Sequence, residues 1–141
     1  MEQSPLDTLI TLREQELDLV ERRFAEAVAR ETAAEEKLSA AQEEILNEQR
    51  IASSPTAGDG AVEAFSRWLP VGRQAVAQAQ ERCREAALDR ETVRSALIIA
   101  RAAMEAVKTL REEQKEEERL AELRKEQNTL DELAVRQFSQ S

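Results

Sequence analysis

ASSPTAGDG, residues 52–60, decides how this chain folds. Pro55, Gly58 and Gly60 sit here among small polar residues, and the whole sequence has only three prolines and three glycines. Such a cluster is loop chemistry. On either side the chain runs long without a breaker. From Leu6 to about Arg50 there is no Gly or Pro, and from Val71 towards Phe138 only Gly72 interrupts. Ser4-Pro5-Leu6-Asp7 has the form of a helix start. Ser4 can cap, Pro5 suits the first helical position, and Asp7 stands where a capping-box acid would. The pattern predicts one helix over about 5–51, a loop at 52–60, and a second helix over about 61–138. The three make a single coiled-coil domain over 1–141.

Heptad spacing supports this reading. In the first helix Ile10, Leu17, Phe24, Glu31, Leu38 and Ile45 fall seven apart, beside Leu6, Arg13, Val20, Ala27, Ala34 and Ala41. In the second, Val76, Cys83, Arg90, Leu97 and Met104 form one row, and Ala79, Ala86, Val93, Ala100 and Val107 the other. Each helix sets a row of large residues beside a row of small ones. Alanine lets two backbones approach closely while the larger row fills the seam. Glu31, Arg13 and Arg90 interrupt the rows and are expected to weaken the seam or set its register.

Composition agrees. Charged residues make up 35% and aromatics 3% of the chain, the profile of long helices rather than of a compact globule. A hydrophobic share of 41%, arranged periodically, argues against disorder. Residues 1–50 hold 6 basic and 13 acidic side chains, whereas residues 61–110 hold 8 and 6. An acidic helix lying on a mildly basic one is favourable. With so short a loop between them, the economical topology is an antiparallel hairpin. The expected fold is therefore all-α, a long two-helix antiparallel coiled-coil hairpin with a C-terminal helical overhang.

The overhang follows from length. A helix from 6 to 50 spans roughly 65–70 Å at ~1.5 Å per residue. Paired antiparallel, Leu6 would lie level with about residue 106, leaving everything beyond about 110 without a partner in its own chain. REEQKEEER, residues 111–119, breaks the heptad. Leu120, Leu123, Leu130 and Ala134 then restore an apolar stripe, which predicts a partner in another chain.

Several function classes find no support. A net charge of −9 disfavours nucleic acid and anionic membrane surfaces. No apolar run approaches the ~20 residues a bilayer span needs. MEQSPLD has neither a basic n-region nor an apolar h-region, so no signal peptide is expected. The lone Cys83 suits a reducing cytoplasm. With no histidine, His-dependent nucleophilic sites and the usual zinc and di-iron sites are excluded. Cys83 falls in a seam row and reads as a small core residue. Glu112, Glu113, Glu116, Glu117 and Glu118 read as a solvated helix face, since acids at helical spacing make a poor cation cage. Gly58-Asp59-Gly60 lacks the lysine and the strand of a phosphate loop. No cofactor, metal or catalytic residue is expected; this is a chain that binds and transmits.

FSRWLPVGR, residues 65–73, holds the only tryptophan. Phe65, Trp68, Leu69 and Gly72 follow i, i+3, i+4, i+7 spacing, one helix face just after the turn. Pro70 cannot donate the helical hydrogen bond to Ser66, so a kink or a helix start is expected there. Two readings stand side by side. Phe65 and Trp68 plug the closed end of the coiled coil, or one of them protrudes as an anchor for a partner.

The pattern F-x-x-W-L-x-x-G-x-x-A-V at 65–76 and the ending LDELAVR at 130–136, in a helical chain of this length, resemble the FliJ family, the small stalk of the flagellar type III export apparatus. The resemblance implies a fold similar to the paired terminal helices of the rotary ATP synthase gamma subunit. It implies an open end that inserts into the hexameric (FliI-like) export ATPase and promotes its assembly and activity. The closed end would face the export-gate protein (FlhA-like), and export chaperones would be further partners. On this chain the gate-facing residues would be Phe65, Trp68, Leu69, Gly72, Ala75 and Ala79. The ATPase-facing residues would be Leu9, Leu12, Arg13 and Glu16, with Leu120, Leu123, Leu130, Asp131, Glu132, Leu133 and Phe138. The implied location is cytoplasmic, peripheral at the inner-membrane base of the flagellum. Gly72 departs from the family pattern, which usually has a larger aliphatic residue there, and Pro70 is unexpected inside the helix. Competing readings are the equivalent stalk of a virulence-type injectisome and a generic dimeric coiled-coil adaptor.

Overall fold

The computed structural model describes residues 3–140. Two helices make the fold: α1 spans Pro5–Ala52 and α2 spans Ala61–Gln140. They pack against each other as an all-α antiparallel hairpin, with no strand among the described residues. The α1 start is the capping box its sequence encodes. Ser4 Oγ accepts from the Leu6 N–H at 3.2 Å, and Asp7 Oδ2 accepts from the Ser4 N–H at 3.1 Å. Between the helices, Ser54 and Thr56 join hydroxyls at 2.9 Å, and Gly60 precedes α2 with φ 83°. That left-handed value favours glycine, which has no Cβ to clash. The Gly60 carbonyl accepts the first α2 bond, from Ala64 N–H at 2.9 Å.

Contacts gather in two compact units, one of the chain through Leu17 with Ile99 onward, the other of Asp18–Ile98. Within Asp18–Ile98 the heptad rows are the packed surface. On α1 from Val20 to Ile45 every row member is buried or half-buried and every other position is exposed. On α2 the rows from Val76 to Val93 behave the same way, with Ala87 the one addition. Ala27 and Leu97 are the buried hydrophobic side chains of Asp18–Ile98, 1% and 5% exposed. An alanine is the best-buried side chain because the small-residue row is where the backbones come closest. Two of the polar interruptions answer each other: Arg90 Nε donates to Glu31 Oε2 at 2.8 Å. Together with the approach of Ile45 to Gly72, this pair sets the antiparallel register.

In the unit formed by the two chain ends, Met104 and Val107 are the buried apolar residues, and Ser4 is the buried polar one. Ser4 and Asp7 meet Gln114 and Arg111 of α2. The register therefore differs from the expected pairing of Leu6 with residue 106. The shift arises at the turn. With Ile45 against Gly72, the end of α1 at Ala52 falls level with about Phe65, so the first turn of α2 runs beyond it. From Lys115 to Gln140 every described residue is exposed.

Pro70 lies inside α2, nine residues after its first residue, rather than at a helix start. Its ring is exposed, while Phe65, Trp68 and Leu69 before it and Gly72 after it are buried or half-buried. Packing on both sides holds the helix through the position where one backbone bond is missing.

Candidate functional site

Two surfaces were legible as candidate partner sites, and they are built differently. The first lies on the early turns of α2. The Phe65 and Trp68 rings stand 6.1 Å apart, centroid to centroid, tilted by 36°. This is within the range of favourable aromatic pairs. Both are half-buried, as are Leu69 and Ala79; Gly72 is buried and Ala75 exposed. The indole lies back along its own helix. A Cβ added at Gly72 would stand 2.7 Å from Trp68 Cη2 and 3.1 Å from Ile45 Cγ1. This explains the departure at Gly72: the space a larger residue would occupy is filled by the tryptophan ring. Trp68 thus plugs the seam with one face. Phe65 and Trp68 also line a recess of 350 Å³ with Glu48, Ile51 and Ala52 of α1, so the pair is partly open to solvent.

The second surface belongs to the chain-end unit. Of its α1 residues, Leu9 and Arg13 are half-buried, Leu12 and Glu16 exposed. Arg13 Nη1 pairs with Glu16 Oε2 at 2.8 Å, while its Nε is buried and has no hydrogen-bond partner among the described residues. On α2, Leu120, Leu123, Leu130, Leu133 and Phe138 are all exposed, with Asp131 and Glu132 between them. Gln127 Nε2 donates to Asp131 Oδ1 at 3.2 Å, one turn apart. The acidic run is a solvated face: Arg119 grips Glu116 through Nε at 3.0 Å and Nη2 at 2.6 Å. That hydrogen bonding holds the Glu116 carboxyl below its usual range. Among the described residues no group of three or more His, Cys, Asp or Glu is placed to hold a metal ion.

Sequence reasoning missed the clasp where this surface begins. Arg111 Nε donates to Asp7 Oδ1 at 2.8 Å, and Arg111 Nη1 donates to Gln114 Oε1 at 2.6 Å. The same Gln114 oxygen accepts from Ser4 Oγ at 2.8 Å. The two Asp7 oxygens therefore do separate work, one closing the α1 cap and the other binding α2. The Arg111 hydrogen bond, then that from the Ser4 backbone, holds the Asp7 carboxyl below its ordinary value of 3.8. A signal was present in the sequence. Arg111 and Gln114 fall seven residues after Met104 and Val107, so they continue both rows with polar groups.

No helix of the described residues is long and apolar enough to cross a membrane. The sequence model of one protein family, described as "Flagellar FliJ protein", matches residues 1–141, and the chain belongs to that family. No curated protein and no solved structure matches it. Membership makes it a flagellar protein-export component and selects the flagellar branch over the injectisome one.

Proposed function

We propose that this member of the FliJ family is the stalk of the flagellar export machinery. It inserts its open end into the hexameric export ATPase, promotes ring assembly and turnover, and links the ATPase to the export gate. The observation that carries the reading is the run of exposed apolar side chains from Leu120 to Val135 on an otherwise charged helix. Such a stripe gains stability only by lying against another protein. The ATPase-facing surface is this stripe with Leu9, Leu12, Arg13 and Glu16. A single helix among six subunits touches them unequally and so biases which nucleotide sites close.

The gate-facing surface comprises Phe65, Trp68, Leu69, Gly72, Ala75 and Ala79. Trp68 contributes there through the edge that its packing on Gly72 and Ile45 leaves free. Its work is binding and transmission in the cytoplasm at the inner-membrane base of the flagellum, with export chaperones as further partners and no cofactor.

ATP hydrolysis by the cognate export ATPase, with and without this protein and with ring formation followed in the same samples, tests the reading. Stimulation together with hexamer assembly is expected; no effect at excess protein overturns it. Trp68→Ala is expected to weaken binding to the gate's cytoplasmic region without loss of helicity. Unchanged affinity would reduce Trp68 to a plug.

A further inference from the structure

The exposed leucines of α2 beyond Lys115 are bordered by charges in an order that selects a partner. Leu120 and Leu123 are spaced as the a and d positions of a heptad, and they stand 41% and 47% exposed. Gln127 and Leu130 hold the next a and d positions, and Glu113 and Glu116 the preceding ones. Arg119 and Glu126 border the two leucines on one side, at g positions, and Glu117 and Arg124 on the other, at e positions. Each border therefore carries one charge of each sign. Among the described residues Glu117, Arg124 and Glu126 make no ion pair, and Arg124 Nε reaches only the Leu120 carbonyl, at 3.4 Å.

That order decides how a second copy of the chain can lie on the first. In a parallel pair each g position meets the following e position of the other helix. Arg119 would then face Arg124, Glu112 would face Glu117, and Glu126 would face Asp131, all of them repulsive. In an antiparallel pair g meets g and e meets e. With Leu120 set on Leu123 of the second copy, two-fold symmetry repeats the contact with the roles exchanged. Arg119 then falls beside Glu126 of the second copy, and Glu117 beside its Arg124. Sliding one helix by a heptad in one direction opposes Glu126 to Glu126 and Arg124 to Arg124. Sliding it the other way opposes Glu117 to Glu117 and Arg119 to Arg119. The attractive register is bracketed by repulsive ones, the arrangement by which e and g charges fix partner and orientation.

We propose that the C-terminal stretch of this chain pairs with itself, two copies lying antiparallel with Leu120 of each on Leu123 of the other. Glu116 and Glu113 continue the seam opposite Gln127 and Leu130, so its apolar part is short and the pair separates on dilution. Arg119 holds Glu116 through Nε at 3.0 Å and Nη2 at 2.6 Å, which satisfies that carboxylate where it enters the seam. Pairing supports a charged helix that is only marginally stable alone. It also covers leucines assigned above to the export ATPase, so the two engagements exclude each other. Only that exclusion rests on the stalk reading.

Sedimentation equilibrium of the full chain at rising concentration tests the pairing, with two reciprocal charge variants. Wild type is expected to associate reversibly. Arg119→Glu/Arg124→Glu and Glu117→Lys/Glu126→Lys each place like charges across both borders, and each alone is expected to associate about tenfold or more weakly. An equimolar mixture of the two restores opposite charges at every border contact and is expected to regain the wild-type association. Circular dichroism of each variant confirms that the hairpin is intact. A wild type that stays monomeric overturns the proposal, as does a mixture no better than its components. Stronger association by Glu117→Lys/Glu126→Lys alone would reveal the parallel arrangement, in which its lysines meet Glu112 and Asp131, and also overturns it. A monomeric chain that still stimulates the export ATPase overturns the self-pairing alone; a self-pairing chain without effect on the ATPase overturns the stalk reading alone.

Discussion

Between Phe65 and Val107, α2 hides a residue every three or four positions; between Lys115 and Gln140 it hides none. The later stretch is not poorer in leucine, with Leu120, Leu123, Leu130 and Leu133 all present. What differs is whether α1 lies alongside. Burial in a single helix is set by its neighbour, and a charged helix without one is only marginally stable. The paired part is therefore built to persist, and the unpaired part to be completed by something else.

The largest break in this comparison comes from removing the unpaired part. Truncation after Arg119 is expected to abolish stimulation of the export ATPase while leaving the thermal melt of the paired helices in place. Retained stimulation would mean that the tail is not the open-end contact.

Next is the packed part at its tightest point. Gly72→Leu forces a side chain into space held by Trp68 and Ile45. Overpacking of this kind costs about 1–3 kcal/mol, read as a lower melting temperature and a red-shifted tryptophan emission. Gly72→Leu combined with Trp68→Ala is expected to recover part of that loss, because the two positions exchange one volume. No recovery would show that Ile45, not the indole, limits the space.

Smaller still is the polar layer in the seam. Glu31→Lys sets a like charge against Arg90 and is expected to lower the melting temperature by on the order of a few degrees. The double reversal Glu31→Arg/Arg90→Glu is expected to restore it.

The smallest effect falls at the clasp. Asp7 has a depressed folded-state pKa, so its contribution is fully present above its ordinary value of 3.8 and lost as pH falls below it. Arg111→Met is expected to bring the Asp7 titration, followed by carboxyl resonance, back up towards 3.8, and to lower the melting temperature slightly at neutral pH, where the Asp7 carboxylate has lost its partner. An unmoved titration would assign the depression to the cap alone.

Much of the fold was legible because helical pairing writes itself at seven-residue intervals. The two rows on α1 and the capping box at Ser4 and Asp7 appear where their residue types demanded. Register was less legible. It depends on how far α2's first turn runs past Ala52, which is geometry rather than composition. The seam also extends further than its apolar residues suggest. Arg111 and Gln114 read as the end of the heptad, yet they lie across from Asp7 and Ser4 and continue it in hydrogen bonds. Gly72 was visible as an anomaly, but its cause was not, since only packing reveals that a ring from the previous turn fills the gap.

The division between a persistent pair and a tail awaiting a partner is tested most directly by amide hydrogen exchange of the full chain, free and bound to the export ATPase. Fast exchange over 115–140 in the free protein is predicted, with strong protection there and in the first turns of α1 once the ATPase is added. Exchange over 18–98 is predicted to be slow in both states. Protection gained only within 18–98, with the tail unchanged, would contradict the account.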